Sequence, residues 1–423
     1  MAMLPLENVR ILEIAEGVAG PWACSLLGDL GAQVIKIEAI QRMDQTRGQK
    51  KPKAGTHFYP NGEPGDQPWN INLTFIRTNR NKMSLTLDLS REKGLNLFKE
   101  LVRVSDALLT NMVTGVPEKL GIDYTSLKKI RPDIIMLTSC GYGHSGPYAR
   151  NVAMAGSMDP ISGHTWLRGY EGEDPLSTSY SSHTDSVNAA TNAFALVTAL
   201  HHRRATGQGQ HIDVSGIEAL MPHLGESILD YTMNGRARNS IGNRHPQLAP
   251  HNVYRAAGDD QWVAIAVRND HEWQAFCSAI DEPEWTRGSS FQTALGRWHN
   301  REELDRLIEG WTSTLPSRNI MSRLQHIGVP ASLILDNKAV WSDPHVRASG
   351  FFELVRHQGL GEMEMSGLPW KMPATQGAIR LPAPLLGEHN DLIYTGLLGL
   401  PDSDYRSLIK EGFAGTEPLD RAV

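Results

Sequence analysis

Cysteine, long apolar runs and net charge are all scarce in this sequence, and each shortage excludes something. Three cysteines in 423 residues (Cys24, Cys140 and Cys277) cannot build a disulfide framework, and none stands in a CxxC pair of the zinc or redox kind. So few thiols suit a reducing compartment, and a cytoplasmic location is expected. Met1–Arg10 has neither a basic stretch nor an apolar segment, so no secretory signal is expected there. The longest largely apolar run, Ala193–Leu200, is far short of a bilayer span, which argues against a membrane. Lys plus Arg number 41 against 47 Asp plus Glu, a formal charge of -6, and such a chain is a poor nucleic-acid binder in bulk. A local basic pocket for a small anion stays compatible with that balance. There is no P-loop and no GxSxG elbow. The 16 histidines include no HxxxH array with an acid, and adjacent His201 and His202 fall on different sides of a helix, so no metal is expected.

What is present reads as α/β. The length suggests two or three domains, and 40% hydrophobic with 21% charged residues is enough to bury a core. Val9–Ile14 is a strand candidate, Trp22–Leu30 a helix with Ala23, Leu26, Leu27 and Leu30 at helical spacing, and Val34–Ile37 a second strand. The unit recurs as Ser84–Leu89, Arg91–Val102 and Ala107–Thr110. Helices near Pro117–Leu120 and Tyr124–Ile130 follow, then the strand Asp133–Ser139. A long helix follows Asp185, with Val187, Ala190, Phe194, Val197 and His201 on one stripe, and Gln210–Val214 is a further strand. Repeated β-α-β units predict a doubly wound parallel sheet. From about 230 to 325 the pattern changes to a hairpin about Gly258-Asp259-Asp260 and three helices, a smaller α+β domain. The segment from Ser342 is loop-rich, ends in a helix at Asp402–Lys410, and is expected to fold back on the first domain.

Three features invite chemical readings. Gly141-Tyr142-Gly143-His144-Ser145-Gly146 is a GxGxxG after a strand, but Pro147 follows with no helix and no second strand. A Gly-rich turn at the sheet's C-terminal edge is therefore expected, and NAD is not. Cys140 precedes His144 by one helical turn's spacing, yet nothing orients the pair, so a small buried residue ending a strand is expected. Asp185 opens the long helix, where a carboxylate either caps free N–H groups or is held for a substrate.

Nine segments in one order resemble the family III CoA-transferases, the group that includes formyl-CoA:oxalate and carnitine CoA-transferases and α-methylacyl-CoA racemase. They are PLENVRILEI, AGPWACSLLGDLGAQVIKIE, NRNKMSLTLDL, EKLGIDY, GYGHSGPYA, TGQGQHIDVSGIEAL, GVPAS, SDPHVRASGFF and APLLGEHN. The resemblance implies a Rossmann-like large domain from residues 1–225 and 331–423, with a small α+β domain at 226–330. It also implies an interlocked dimer, as a homodimer or with a related chain.

By the same resemblance Asp185 is the nucleophile, with Thr184 in place of the usual Gly; the free aspartate pKa of about 3.9 predicts that it is ionised at neutral pH. The racemase His-Asp position, aligned on Ser162-Gly163, holds Met154-Ala155, which cannot move a proton. Contacts to coenzyme A carry over to Val18 and Ala19, to Asn79, Arg80, Asn81 and Lys82, to Asn111 and Met112, to Lys119 and Leu120, and to Tyr142 and Gly143. Arg47 is a further candidate, while Ala39 and Cys140 stand where some members have a basic residue. Gly242, Asn243, Arg244 and His245 occupy the place of a Gly-rich flap; Arg244 or His245 would meet an acyl carboxylate, or the segment is a solvated loop. The aromatics of Gln49–Phe75 line an acyl pocket or pin the loop; with the flap they look like the succinyl-CoA:benzylsuccinate branch. The implied reaction passes CoA from an acyl-CoA donor to a carboxylic acid acceptor through an aspartyl intermediate, with no metal or redox cofactor. Racemase, CoA-dependent lyase and non-catalytic partner subunit remain the alternatives.

Overall fold

Neighbouring residues of a strand point to opposite faces, so a strand buried on both sides reads as an unbroken apolar run. Six strands form, of which the first five are mostly buried and the last, at the sheet edge, is not: Arg10–Ile14 (β1), Gln33–Glu38 (β2), Lys82–Thr86 (β3), Ala107–Thr110 (β4), Ile135–Cys140 (β5) and His211–Ser215 (β6). In the computed structural model, which describes residues 3–52, 56–174, 177–178 and 183–419, they build one parallel sheet in the order β3-β2-β1-β4-β5-β6. Ile11 registers with Val34 on one side and Ala107 on the other. This is the doubly wound α/β sheet that the sequence predicts. Its order reverses between β1 and β4, and the crevice outside those two C-terminal ends is where such sheets bind ligands.

The chain divides into two compact units, one of Met1–His164, Tyr180–Ile228 and Ser349–Val423, the other of Thr165–Ser179 and Leu229–Ala348. In the first, four helices matter for the site: Ala19–Asp29 (α1), Leu73–Thr78 (α2), Ala155–Ile161 (α3) and His183–Thr206 (α4). On one face of the sheet, Ala23 and Leu27 of α1 pack with Ala189, Leu196 and Ala199 of α4 around Ile11 and Val34. On the other, Phe98, Leu101 and Leu127 meet Leu12, Ile35 and Leu85, together with Tyr394, Leu408 and Phe413 from the end of the chain. The predicted stripe on α4 is not the buried one: Ala190, Phe194, Val197 and His201 are exposed, Phe194 by 74%. In an Ala-rich helix two apolar stripes compete, and the smaller-residue face wins because it lets α1 approach closely.

The second unit carries an antiparallel sheet of His251–Arg255 (β7), Trp262–Ala266 (β8) and Ala331–Leu333 (β9), with β8 central. The helices Asp270–Ala279, Arg301–Thr312 and Ser317–His326 supply Trp273, Phe276, Ile308 and Leu324 to its core. Back in the first unit, Phe352–His357 (β10) and Gly361–Ser366 (β11) form a hairpin in the stretch read as loop-rich. Val355 and Met365 of that hairpin pack on Phe75 and Ile76. The free edge of β3 is covered, not left to solvent. Thr86 N donates to Asn390 Oδ1 at 2.8 Å, and the Tyr394 hydroxyl donates to Thr86 O at 2.8 Å.

Candidate active site

The loop after β1 is held by one residue of the sheet and by two that follow its strands. Lys36 Nζ of β2 donates to Ala15 O at 2.8 Å, and Gly17 N donates to Asp44 Oδ1 at 3.1 Å. Beyond β4, Asn111 takes both backbone groups of Glu16: Glu16 N donates to Asn111 Oδ1 at 3.0 Å, and Asn111 Nδ2 donates to Glu16 O at 2.7 Å. Gly17 sits at φ +83°, the left-handed region that an L side chain rarely adopts. The loop thus crosses the β1–β4 crevice with Glu16, Val18 and Ala19 on the wall of a cavity of about 730 Å³.

The opposite wall comes from β5 and α4. Cys140 ends β5 and Gly141 follows it, and a Cβ on Gly141 would overlap the methyl of Ala153. Asp213 pins the turn that follows, accepting from His144 N at 3.0 Å and meeting His144 Nδ1 at 2.9 Å. No helix starts there before α3, so the Gly-rich segment is the turn expected, not a dinucleotide loop. Burial pushes the Cys140 thiol up to about 11; its Sγ lies 3.1 Å from Met112 O and 3.8 Å from His144 Nε2, an arrangement for a packed thiol and not a nucleophile.

Asp185 lies in the first turn of α4 and lines the same cavity, beside Asn188 and Gly216. Among the described residues its carboxylate has no hydrogen-bond partner. Burial raises its pKa above the ordinary aspartate value, and the charge of Arg77 opposes that shift. Burial therefore destabilises this carboxylate as an anion and makes it more basic than an exposed aspartate. Met154 and Ala155 also line the cavity, so the position of a racemase acid/base pair carries no titratable group.

A second cavity of about 580 Å³ adjoins the first across Glu16, Gln45, Asn111 and Val113. Its walls include Ala39, Arg42, Met112 and Leu120. Ala39 and Arg42 pair across a tight turn, and the exposed Arg42 guanidinium meets Glu16 at 3.2 Å. Burial raises the pKa of Glu16, with Arg42 opposing. Glu16, Arg42 and Arg77 were not singled out by the sequence. Each comes from a different loop or helix, and no motif links them.

The sequence-derived residues divide. Val18, Ala19, Asn111 and Asp185 meet at the first cavity, and Asn111, Met112 and Leu120 at the second. Tyr142 packs against Ala155, Met158 and Ile217, and Gly143 sits at φ +73° beside Asp213, while Lys119 is exposed outside both linings. Asn79, Arg80, Asn81, Lys82 and Arg47 line neither cavity: all five are buried. Lys82 Nζ donates to Pro21 O at 2.7 Å and Asn79 Oδ1 at 2.8 Å and lies 2.7 Å from Glu13, and burial pulls its pKa down. Arg80 and Asn81 both donate to Asp29, and Arg47 pairs with Glu38 at 2.8 Å beneath the Phe75 ring. Lys82, Arg80 and Arg47 are thus each paired with a core carboxylate.

Gly242, Asn243, Arg244 and His245 lie in the second unit. Arg244 meets Asp305 at 3.3 Å and Glu302 at 3.8 Å, so its charge already has carboxylate partners there. Among the described residues no cluster of His, Cys, Asp or Glu is arranged to hold a metal ion, and no helix is long and apolar enough to cross a membrane.

Against known proteins, the profile of CoA-transferase family III matches residues 6–390. The chain is 33% identical over 404 residues to succinyl-CoA–D-citramalate CoA-transferase of Chloroflexus aurantiacus, covering 96% of each. It is 30% identical over 407 residues to the beta subunit of succinyl-CoA–L-malate CoA-transferase of the same organism, covering 96% of this chain and 97% of that one. A CAIB/BAIF family protein from Brucella suis superposes with a TM-score of 0.82 at 29% identity, over 94% of this chain and all of that one.

Proposed function

The chain belongs to CoA-transferase family III, an enzyme family that moves CoA between acyl-CoA thioesters and acids, and from that premise we propose a covalent route through Asp185 with succinyl-CoA as donor. One observation carries the reading: a carboxylate without hydrogen-bond partners among the described residues, on the wall of a cavity at the sheet's switch point. Asp185 attacks the thioester carbonyl, forming a mixed anhydride and releasing CoA thiolate. The thiolate attacks the Asp185 carbonyl, expels the donor as a free carboxylate and leaves an aspartyl-CoA thioester. The acceptor carboxylate repeats the exchange in reverse, and Asp185 is regenerated. N–H groups of the Gly141–Gly143 turn are the proposed donors to the oxyanion.

The nucleotide end of CoA is assigned to the second cavity, where Arg42 supplies the exposed cation that Ala39 does not. The first unit is then the CoA-binding domain. Subunit names among the relatives support pairing with a second copy or a related chain, and the exposed face of α4 with Phe194 and Val197 suits such pairing. Three unpaired cysteines support a cytoplasmic setting.

The test is intact mass of the protein after succinyl-CoA, trapped with hydroxylamine or borohydride, beside Asp185→Ala. A trapped adduct on Asp185 that the variant lacks is expected. CoA transfer by the wild type with no adduct from any acyl-CoA would sink the covalent route.

A further inference from the structure

We propose that Arg77 binds the distal carboxylate of a dicarboxylic acyl group held at Asp185, and so makes the enzyme select succinyl-type chains over monocarboxylic ones of equal length. The inference rests on Asp185 being the acyl-accepting carboxylate.

The cavity has the wrong charge for a dicarboxylate on its own. Among the described residues its lining carries two carboxylates, Glu16 and Asp185, and no Lys or Arg. A second carboxylate brought into that space needs a cation at the edge. The buried cations beneath the site are committed: Lys36 and Lys82 to Glu13, Arg47 to Glu38, Arg80 to Asp29.

Arg77 is different in both respects. It lies on α2, one turn after Thr74, which lines the cavity. Its guanidinium carbon stands 5.9 Å from the ring centroid of Trp22 on α1, within a turn of Ala19 and Gly20, two more lining residues. The guanidinium thus belongs to one and faces the other of two helices that both contribute residues to the cavity wall. It is exposed, and among the described residues it has neither an ion pair nor a hydrogen bond. Among the described residues it is also the cation whose charge acts on Asp185. The Trp22 ring orients the guanidinium from one side and leaves its fork of N–H donors for a carboxylate. Val18 and Phe58 give the cavity an apolar wall for the methylenes between the two ends of the acyl group.

The experiment compares succinyl-CoA with butyryl-CoA, which has the same number of acyl carbons and no second carboxylate. The second-order rate of adduct formation at Asp185 is read by quench and intact mass, for the wild type, Arg77→Gln and Arg77→Lys. Losing a charge-assisted hydrogen bond there lowers the succinyl-to-butyryl ratio about 10- to 100-fold in Arg77→Gln, with partial recovery in Arg77→Lys. The loss of charge near Asp185 affects both donors alike and cancels in the ratio. An adduct whose donor preference moves less than about 3-fold in Arg77→Gln, well inside that range, overturns the role of Arg77 alone. No adduct from either donor in the wild type overturns the Asp185 reading and this one with it.

Discussion

Lys82→Met asks whether the basic run Asn79–Lys82 serves the ligand or the core. Glu13, Lys36, Asp44 and Lys82 form one buried set, with Lys36 at 2.9 Å from Glu13 and 2.8 Å from Asp44, and all four side chains 0% exposed. Two cations balance two carboxylates. Methionine keeps the volume and removes one cation, leaving a net negative charge in the core and two carbonyl acceptors, Pro21 O and Asn79 Oδ1, without their donor. Breaking a buried pair in this way costs about 3–5 kcal/mol. At about 1.4 kcal/mol per factor of ten, that lowers the folded-to-unfolded ratio at least a hundredfold. Glu13→Gln in the same molecule restores neutrality, because Lys36 still balances Asp44. The double variant is therefore expected to recover about 2 kcal/mol or more, read as coupling in a double-mutant cycle. Urea midpoints followed by tryptophan fluorescence measure the cycle, and steady-state kinetics of the double variant measure KM for acyl-CoA, expected within about 2-fold of wild type since no ligand contact is lost. A Lys82→Met protein with an unchanged midpoint and a tenfold higher KM would refute the reasoning and return Lys82 to the phosphates.

Two further outcomes are expected. Gly141→Ala forces a methyl into Ala153 at the cavity wall, so its melting temperature should fall, at a cost of about 1–3 kcal/mol, and the rate should fall with it. Because burial raises the Asp185 pKa, its ionisation opposes folding: the penalty is absent below the unfolded value of about 3.9 and is complete once pH passes the folded value. Asp185→Asn should accordingly melt higher than wild type at pH 7 and lose that advantage as pH falls, while the acid limb of wild-type kcat/KM should lie above the value of an exposed aspartate. Equal melting curves at both pH values would contradict the sign.

Much of this molecule was legible without coordinates. Ala107–Thr110, Tyr124–Ile130, Ser317–His326 and Asp402–Lys410 have the predicted bounds, because each has a clean period and a clear stop. The hairpin β10–β11 was missed although Glu362-Met363-Glu364-Met365 alternates, since the flanking glycines and prolines suggested only loop. The exposed stripe of α4 was chosen over the buried one because periodicity alone cannot rank two apolar faces of one helix.

The sequence by itself determined the parallel sheet, the Gly-rich turn at its C-terminal edge and the position of Asp185, since these depend on local pattern and on a linear order of motifs. Tertiary structure alone decided what each charge does. Lys82 reads as a bare cation until Glu13 of another strand is seen 2.7 Å away, and Arg77 reads as an ordinary surface residue until its guanidinium carbon is seen 5.9 Å from the Trp22 ring centroid of α1. A charge acts through its nearest opposite charge and its exposure to water, and both belong to segments far apart in the chain.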